Sequence, residues 1–223
     1  SCGSELSTAQ LPADRAMFCC CKEAGGEEEL TDTKLREAAL IKTAAAMDEE
    51  SIPDQFVVTL SSTPGILLDV TDPECTIIKE ITDGAAAEWN KTAGVGKTVR
   101  PFDRVMEVNG VRGTSVQLAK ALGGSDSLSI TLQRPEERVV KLERPGEIGV
   151  VLNYKKMGSK APWITKISAG LLTQWNENYP EQSVTMHDRI KEVNGTGGSP
   201  EELMSMIKEA KKTLDLRVFH YAV

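Results

Sequence analysis

The eight residues Asp103-Arg104-Val105-Met106-Glu107-Val108-Asn109-Gly110 return 85 positions later as Asp188-Arg189-Ile190-Lys191-Glu192-Val193-Asn194-Gly195. Upstream, Trp89-Asn90 recurs as Trp175-Asn176, and Val57-Val58-Thr59-Leu60 as Val139-Val140-Lys141-Leu142. A Pro-Gly follows each of the latter, at Pro64-Gly65 and Pro145-Gly146. Landmarks kept in one order with small insertions mark an internal duplication, so one small folding unit is used twice.

Each copy reads as short strands around one clear helix. The β-branched runs 56–60 and 138–142, bounded by turn residues, predict a first strand. Apolar runs at Ile66–Val70 and Ile148–Leu152 predict a second, and Thr76–Ile81 and Trp163–Ile167 a third. Val105–Val108 and Ile190–Val193 alternate as strands do, and each ends in Asn-Gly, a strong hairpin-turn signal. In the first copy Val116, Ala119 and Leu122, spaced by three, are expected to share a helix face. In the second, Ser199-Pro200-Glu201-Glu202 combines a cap, a first-turn proline and two carboxylates at a helix start. Leu203, Met206 and Ile207 supply its apolar stripe. A shorter helix is expected over Gly84–Asn90 and Gly170–Asn176, and a last strand over Leu128–Leu132 and Leu214–Phe219. The expected division is an N-terminal extension 1–55, a first unit 56–135 and a second 138–223. The linker around Pro135 is short, which limits the relative orientations of the units.

Composition narrows the function. Aromatic residues make up 4% of the 223 positions, so aliphatic packing must build the cores. A net charge of −7 argues against nucleic acid, whose phosphates call for clustered Lys and Arg. No apolar run approaches the roughly 20 residues needed to span a bilayer. In the extension, Thr33–Met47 is Ala-rich and favours a helix. The first residue is serine, and Met17 offers an alternative start. The triplet Cys19-Cys20-Cys21 beside Met17 admits three readings: S-acylation tethering the chain to a membrane surface, metal binding, and free thiols. The cysteine spacing does not suggest a disulfide framework, so a reducing, cytoplasmic setting is expected, peripheral to a membrane if the triplet is acylated.

Nothing resembles a catalytic constellation. His187 and His220 are the only histidines; His187 reads as a surface turn residue, and no Gly-x-Ser-x-Gly elbow is present. Gly94-Val95-Gly96-Lys97-Thr98 lacks phosphate-loop spacing. Trp89 and Trp175 read as packing residues. No cofactor and no small-molecule substrate is expected.

The Asp-Arg-Val/Ile and Glu-Val-Asn-Gly element, set before a helix and a final strand, resembles that of PDZ domains. The likeness covers about three-quarters of the chain, and the Trp-Asn insertion resembles a variant branch found in unicellular algae. It implies a mostly β, α+β fold: two tandem PDZ-like, partly open barrels or sandwiches, each with one main and one short helix, after a partly helical extension. It also implies a protein-interaction adaptor whose partners are proteins, bound through C-terminal or internal extended peptides by strand addition.

The family's x-apolar-Gly-apolar carboxylate loop matches Glu147-Ile148-Gly149-Val150, and Val151-Leu152 would continue the edge strand. In the first copy, one alignment gives Gly65-Ile66-Leu67-Leu68, with Leu67 in place of the glycine. Shifting by one restores Gly65 but displaces the loop. Both copies replace the family's glycine before Asp, with Phe102 and His187. The first residue of the groove helix sets ligand preference in the family; here it is Ser115 or Pro200. Ala119 and Leu122, and Met204 and Ile207, would line the two grooves. Pro200 offers no donor, so an apolar ligand residue is expected two positions before the end. The Tyr221-Ala222-Val223 tail reads first as a strand end and second as a ligand. The alternative function is a non-catalytic accessory subunit that uses degenerate PDZ-like units for docking.

Overall fold

The computed structural model describes residues 54–61, 63–124 and 127–222. The expected helix over Thr33–Met47 and the triplet Cys19, Cys20 and Cys21 lie outside them. Within this part the chain is α+β and mostly β. The first repeat comprises β1 (Gln55–Ser61), β2 (Ile66–Asp69), β3 (Ile77–Ile81), α1 (Ala85–Thr92), β4 (Arg104–Val108), α2 (Ser115–Leu122) and β5 (Ser127–Gln133). The second comprises β6 (Glu136–Glu143), β7 (Val150–Asn153), β8 (Trp163–Ile167), α3 (Leu171–Asn178), β9 (Arg189–Val193), β10 (Thr196–Gly197), α4 (Pro200–Glu209) and β11 (Thr213–His220). Only Arg134 and Pro135 separate β5 from β6.

The two antiparallel sheets repeat one order, β1-β5-β4-β3-β2 and β6-β11-β9-β8-β7, with β10 attached to β9. Each therefore leaves two edges, β1 and β2 in one, β6 and β7 in the other. Alternation drives the pairing: β1 buries Phe56, Val58 and Leu60 and turns Val57 and Thr59 outward. At the hairpins Asn109 and Gly110 have φ of 49° and 79°, Asn194 and Gly195 of 50° and 74°. Two successive left-handed residues match the strand twist, which is why Asn-Gly stands there twice. Asn109 adds a side-chain acceptor for the Ser129 amide, and Asn194 one for Asp215.

Each repeat has its own aliphatic core, Val58–Leu128–Ile130 in the first and Val140–Leu203–Leu214 in the second. The Trp-Asn pairs join helix to loop. Asn90 accepts from the Val99 amide (2.7 Å) and donates to its carbonyl (2.8 Å), and Asn176 does the same with Val184 (2.9 and 2.8 Å). The amide side chain thus stands in for a strand neighbour of a buried valine. Trp89 and Trp175 pack half-buried on the cores. The expected stripe of α2 needs correction: Ser115, Leu118 and Leu122 face inward, while Val116 is 73% exposed. α1 and α2 are also equal in length, at eight residues each. In α4 the stripe is as expected, with Leu203 and Ile207 buried and Met206 packed beside them.

The repeats meet over a mixed apolar and polar surface. Cys75, Ile77 and Tyr221 form a third cluster with Phe102 and Phe219, whose rings lie 4.9 Å apart. Burial pushes the Cys75 thiol up to about 12, which keeps it a protonated packing group. The Tyr221 hydroxyl donates to the Phe102 carbonyl (2.9 Å), which holds Tyr221 against the first repeat just beyond β11. Arg189 donates to Asp69 at 2.6 Å, both side chains at 0% exposure. It also reaches the carbonyls of Cys75 and Ala161. Arg104, its repeat counterpart, donates to the carbonyls of Ala222 (2.8 Å) and Glu74 (3.3 Å). His187 is not a free surface turn residue. Its Nδ1 lies 2.9 Å from Asp72 and its Nε2 3.3 Å from Glu74, both on the first repeat.

Phe102 and His187 have φ of 76° and 71°, the left-handed region that side chains enter at a cost. Glycine would adopt this backbone without that cost. In this chain both side chains instead reach across the repeat boundary, and those contacts hold the strained backbone.

The aspartate after each is buried, and its surroundings differ. Asp188 faces His220 at 3.0 Å, whereas Asp103 faces Arg134 at 3.3 Å without hydrogen-bond geometry. Burial pushes Asp103 up to about 6, against the pull of Arg134 and of the Arg100 amide. Between about pH 4 and 6 the folded chain therefore holds a proton that the unfolded chain has released, and stability falls as pH rises through that window. The expected slope from this group approaches ~1.4 kcal/mol per pH unit. Urea unfolding of the wild type and Asp103→Asn across the window checks this: the variant should lack that component, and parallel curves would refute it.

Candidate peptide-binding edge

The backbone contacts align the two loops that lead into β2 and β7 and overturn the expected loss of glycine in the first repeat. Gly65 and Gly149 are equivalent. The Thr82 amide donates to Gly65 O as Ser168 does to Gly149 O, and Ala85 to Thr63 O as Leu171 does to Glu147 O. Thr63-Pro64-Gly65-Ile66 thus matches Glu147-Ile148-Gly149-Val150, and Leu67 matches Val151. The Pro-Gly at 145–146 is not the counterpart of that at 64–65. Both glycines are left-handed, with φ of 63° and 79°. A Cβ at Gly149 would lie 2.5 Å from the Ser168 carbonyl, and one at Gly65 2.8 Å from those of Thr82 and Asp83. Glycine is required at both by conformation and by close approach.

The loops differ at the preceding position. Pro64 has no N–H, whereas Ile148 keeps one, and among the described residues no hydrogen bond takes up the amides of Ile148 or Gly149. Successive amides of this kind before an edge strand are the backbone feature that suits an anion. Arg144, which the sequence reading passed over, adds a cation near the same end. It donates to the carbonyls of Gly146 (3.0 Å) and Ile207 (3.2 Å), tying the loop to α4, and its Nε is buried without a partner.

Beyond the loop, β7 pairs only with β8 among the described residues, so its outer edge is open. Val150 and Leu152 join the apolar cluster of Leu203 and Ile207, and Val151 and Asn153 face outward. α4 is fixed by a capping box: the Ser199 amide donates to Glu202 (2.8 Å), and the Glu202 amide returns to Ser199 Oγ (3.4 Å). Pro200 and Ile207 are buried and Met204 is half-buried.

The first-repeat counterparts differ little in exposure, Ile66 alone being more buried than its match Val150. Ile66 and Leu122 are buried, Leu68 and Ala119 half-buried, and Leu67 exposed. Ser115, expected to face a ligand, is buried: its hydroxyl donates to Asp72 O and accepts from Thr76 Oγ1 at 2.7 Å. The chain leaving β2 is held by the second repeat, through Lys160 N to Asp69 (2.8 Å) and Thr71 to Ser159 (2.9 Å). Matching concavities of about 410 and 370 Å³ lie at the opposite edges, beside Trp89 and Trp175. Among the described residues no group of three or more His, Cys, Asp or Glu side chains is placed to hold a metal, and no helix is long and apolar enough to cross a membrane.

No family model matches the chain, and no curated protein does. Similar solved structures include the tandem in "Complex structure of INAD PDZ45 and NORPA CC-PBM". It is 15% identical over 75% of this chain and 92% of that one, with a TM-score of 0.34. "Structure of INAD PDZ45 in complex with NG2 peptide" is 14% identical over 74% and 89%, with a TM-score of 0.32.

Proposed function

We propose that the chain is a non-enzymatic protein-interaction adaptor whose second repeat takes the C-terminal segment of a partner by strand addition to β7. The observation that carries this reading is the open β7 edge, led by the two free amides at Ile148 and Gly149 and flanked by the capped helix α4. An extended peptide would gain main-chain hydrogen bonds along Val150–Asn153, and its carboxylate would meet those amides with Arg144 nearby. Pro200 and Met204 would line the side-chain groove, favouring an apolar residue two positions before the ligand's end.

The first repeat serves as a structural partner rather than a second receptor. Pro64 removes a donor, Ser115 is committed internally, and the far end of β2 is covered. Acylation of Cys19, Cys20 and Cys21 would tether the adaptor to a membrane surface, and a hydroxylamine-sensitive mass increase on the native protein would reveal it.

A C-terminal peptide library displayed to the chain tests the main reading. Apolar residues should be enriched at the last position and two before it. A strong Ser/Thr preference two before the end would refute the role given to Pro200. Absence of any C-terminal binding would favour the accessory-subunit reading, in which both repeats only dock.

A further inference from the structure

The segment after β7 is basic and open. Lys155, Lys156 and Met157 follow Asn153 and Tyr154, and Met157 is 86% exposed. Lys166 stands opposite Val151 on β8. From the first repeat, Lys79 reaches the same segment, donating to the Met157 carbonyl at 2.9 Å. None of these lysines makes an ion pair among the described residues, in a chain whose net charge is −7. Glu80, beside Lys79 on β3, is the exposed opposite charge on that strand. The neighbouring carboxylates of Asp69 and Asp72 are turned into the repeat boundary, on Arg189 and His187.

Strand geometry connects this patch to the edge. A peptide antiparallel to β7, with its C-terminus at Gly149, advances ~3.3 Å per residue. Its last four residues would run beside Val150–Asn153, and the next three would emerge over Tyr154–Met157. The equivalent exit in the first repeat is closed by Lys160 and Ser159 on Asp69 and Thr71.

We propose that Lys155 and Lys156, completed by Lys79 from the first repeat, form an upstream subsite for an acidic stretch of the peptide that pairs with β7. This rests on the strand-addition reading above. The ligand class is therefore a C-terminus with an apolar end preceded, from about the fifth residue back, by Asp or Glu. The boundary between the repeats becomes part of the recognition surface, since Lys79 holds the loop that carries the other two lysines.

Fluorescence anisotropy on the full chain tests this with two labelled peptides sharing four C-terminal residues, apolar at the last position and two before it. One is extended upstream by three glutamates and the other by three serines. The glutamate peptide should bind about five-fold tighter at low salt, with the advantage shrinking at about 0.5 M salt. Lys155→Glu/Lys156→Glu should erase that advantage while leaving the serine peptide's affinity unchanged, and Lys79→Ala should reduce it. Equal binding of both peptides by the wild type would overturn the subsite and leave strand addition standing. An advantage that survives in the double variant would also overturn it. Failure of both peptides and of the library would overturn strand addition and the subsite together.

Discussion

Arg189→Ala is expected to destabilise the protein by about 3–5 kcal/mol, the usual cost of removing one member of a buried ion pair. Asp69 would be left with no exposure and without its cation. It would keep only the Lys160 amide and its local bonds to Thr71 as partners. The carbonyls of Cys75 and Ala161 would lose a donor at the same time. Because the pair joins strands of different repeats, the loss should appear as early, separate unfolding of one repeat, whereas a single transition is expected of the wild type. Asp69→Leu/Arg189→Met removes both charges and should recover most of the loss, since much of it is the desolvation of an uncompensated ion. Urea denaturation followed by tryptophan fluorescence measures all three proteins, with Trp89 reporting on the first repeat and Trp163 and Trp175 on the second, Trp163 lying directly against Arg189. A loss below about 1 kcal/mol for Arg189→Ala would mean that water or relaxation relieves the pair.

Gly149→Ala should abolish C-terminal peptide binding and cost about 2–4 kcal/mol of stability. Left-handed backbone costs a side chain ~1–2 kcal/mol, and overpacking against a fixed carbonyl adds a similar amount. The carbonyls of Ser168 and Ala169 lie 2.5 and 3.0 Å from the new methyl position, so the loop must move and carry its amides with it. Gly65→Ala is the matched control, with the same conformation and a 2.8 Å approach. It should lose comparable stability yet leave peptide affinity unchanged, because the first repeat is not the receptor. Loss of binding in both variants would place a binding role on the first repeat as well. Isothermal titration alongside thermal melts separates these outcomes.

Much of the architecture was legible in local sequence. Alternation placed every strand except β10 within about two residues, and Asn-Gly identified both hairpin turns. Ser199-Pro200-Glu201-Glu202 marked the start of α4, because capping is settled within four residues. The errors came where a local signal had two readings. Val116, Ala119 and Leu122 fit a helical face, yet the polar Ser115 heads the true stripe, its hydroxyl satisfied by Asp72 and Thr76. The Pro-Gly pairs looked like repeat landmarks, but only Gly65 and Gly149 occupy the same conformation. A dipeptide does not encode which carbonyls will crowd its Cβ.

By itself the sequence determined the duplication, the strand and turn pattern within each copy, and the capped start of α4. Those follow from periodicity and turn chemistry, which act over a few residues. Only the tertiary structure decided that the far end of β2 is held by the second repeat while that of β7 is not. Asp69 and Arg189 stand 120 positions apart and look like ordinary surface charges in the sequence. Phe102 and His187 look like lost glycines. Their meaning depends on how two folded surfaces meet, where burial turns a charge into a partner-dependent anchor and lets a strained residue be held by contacts from the other copy.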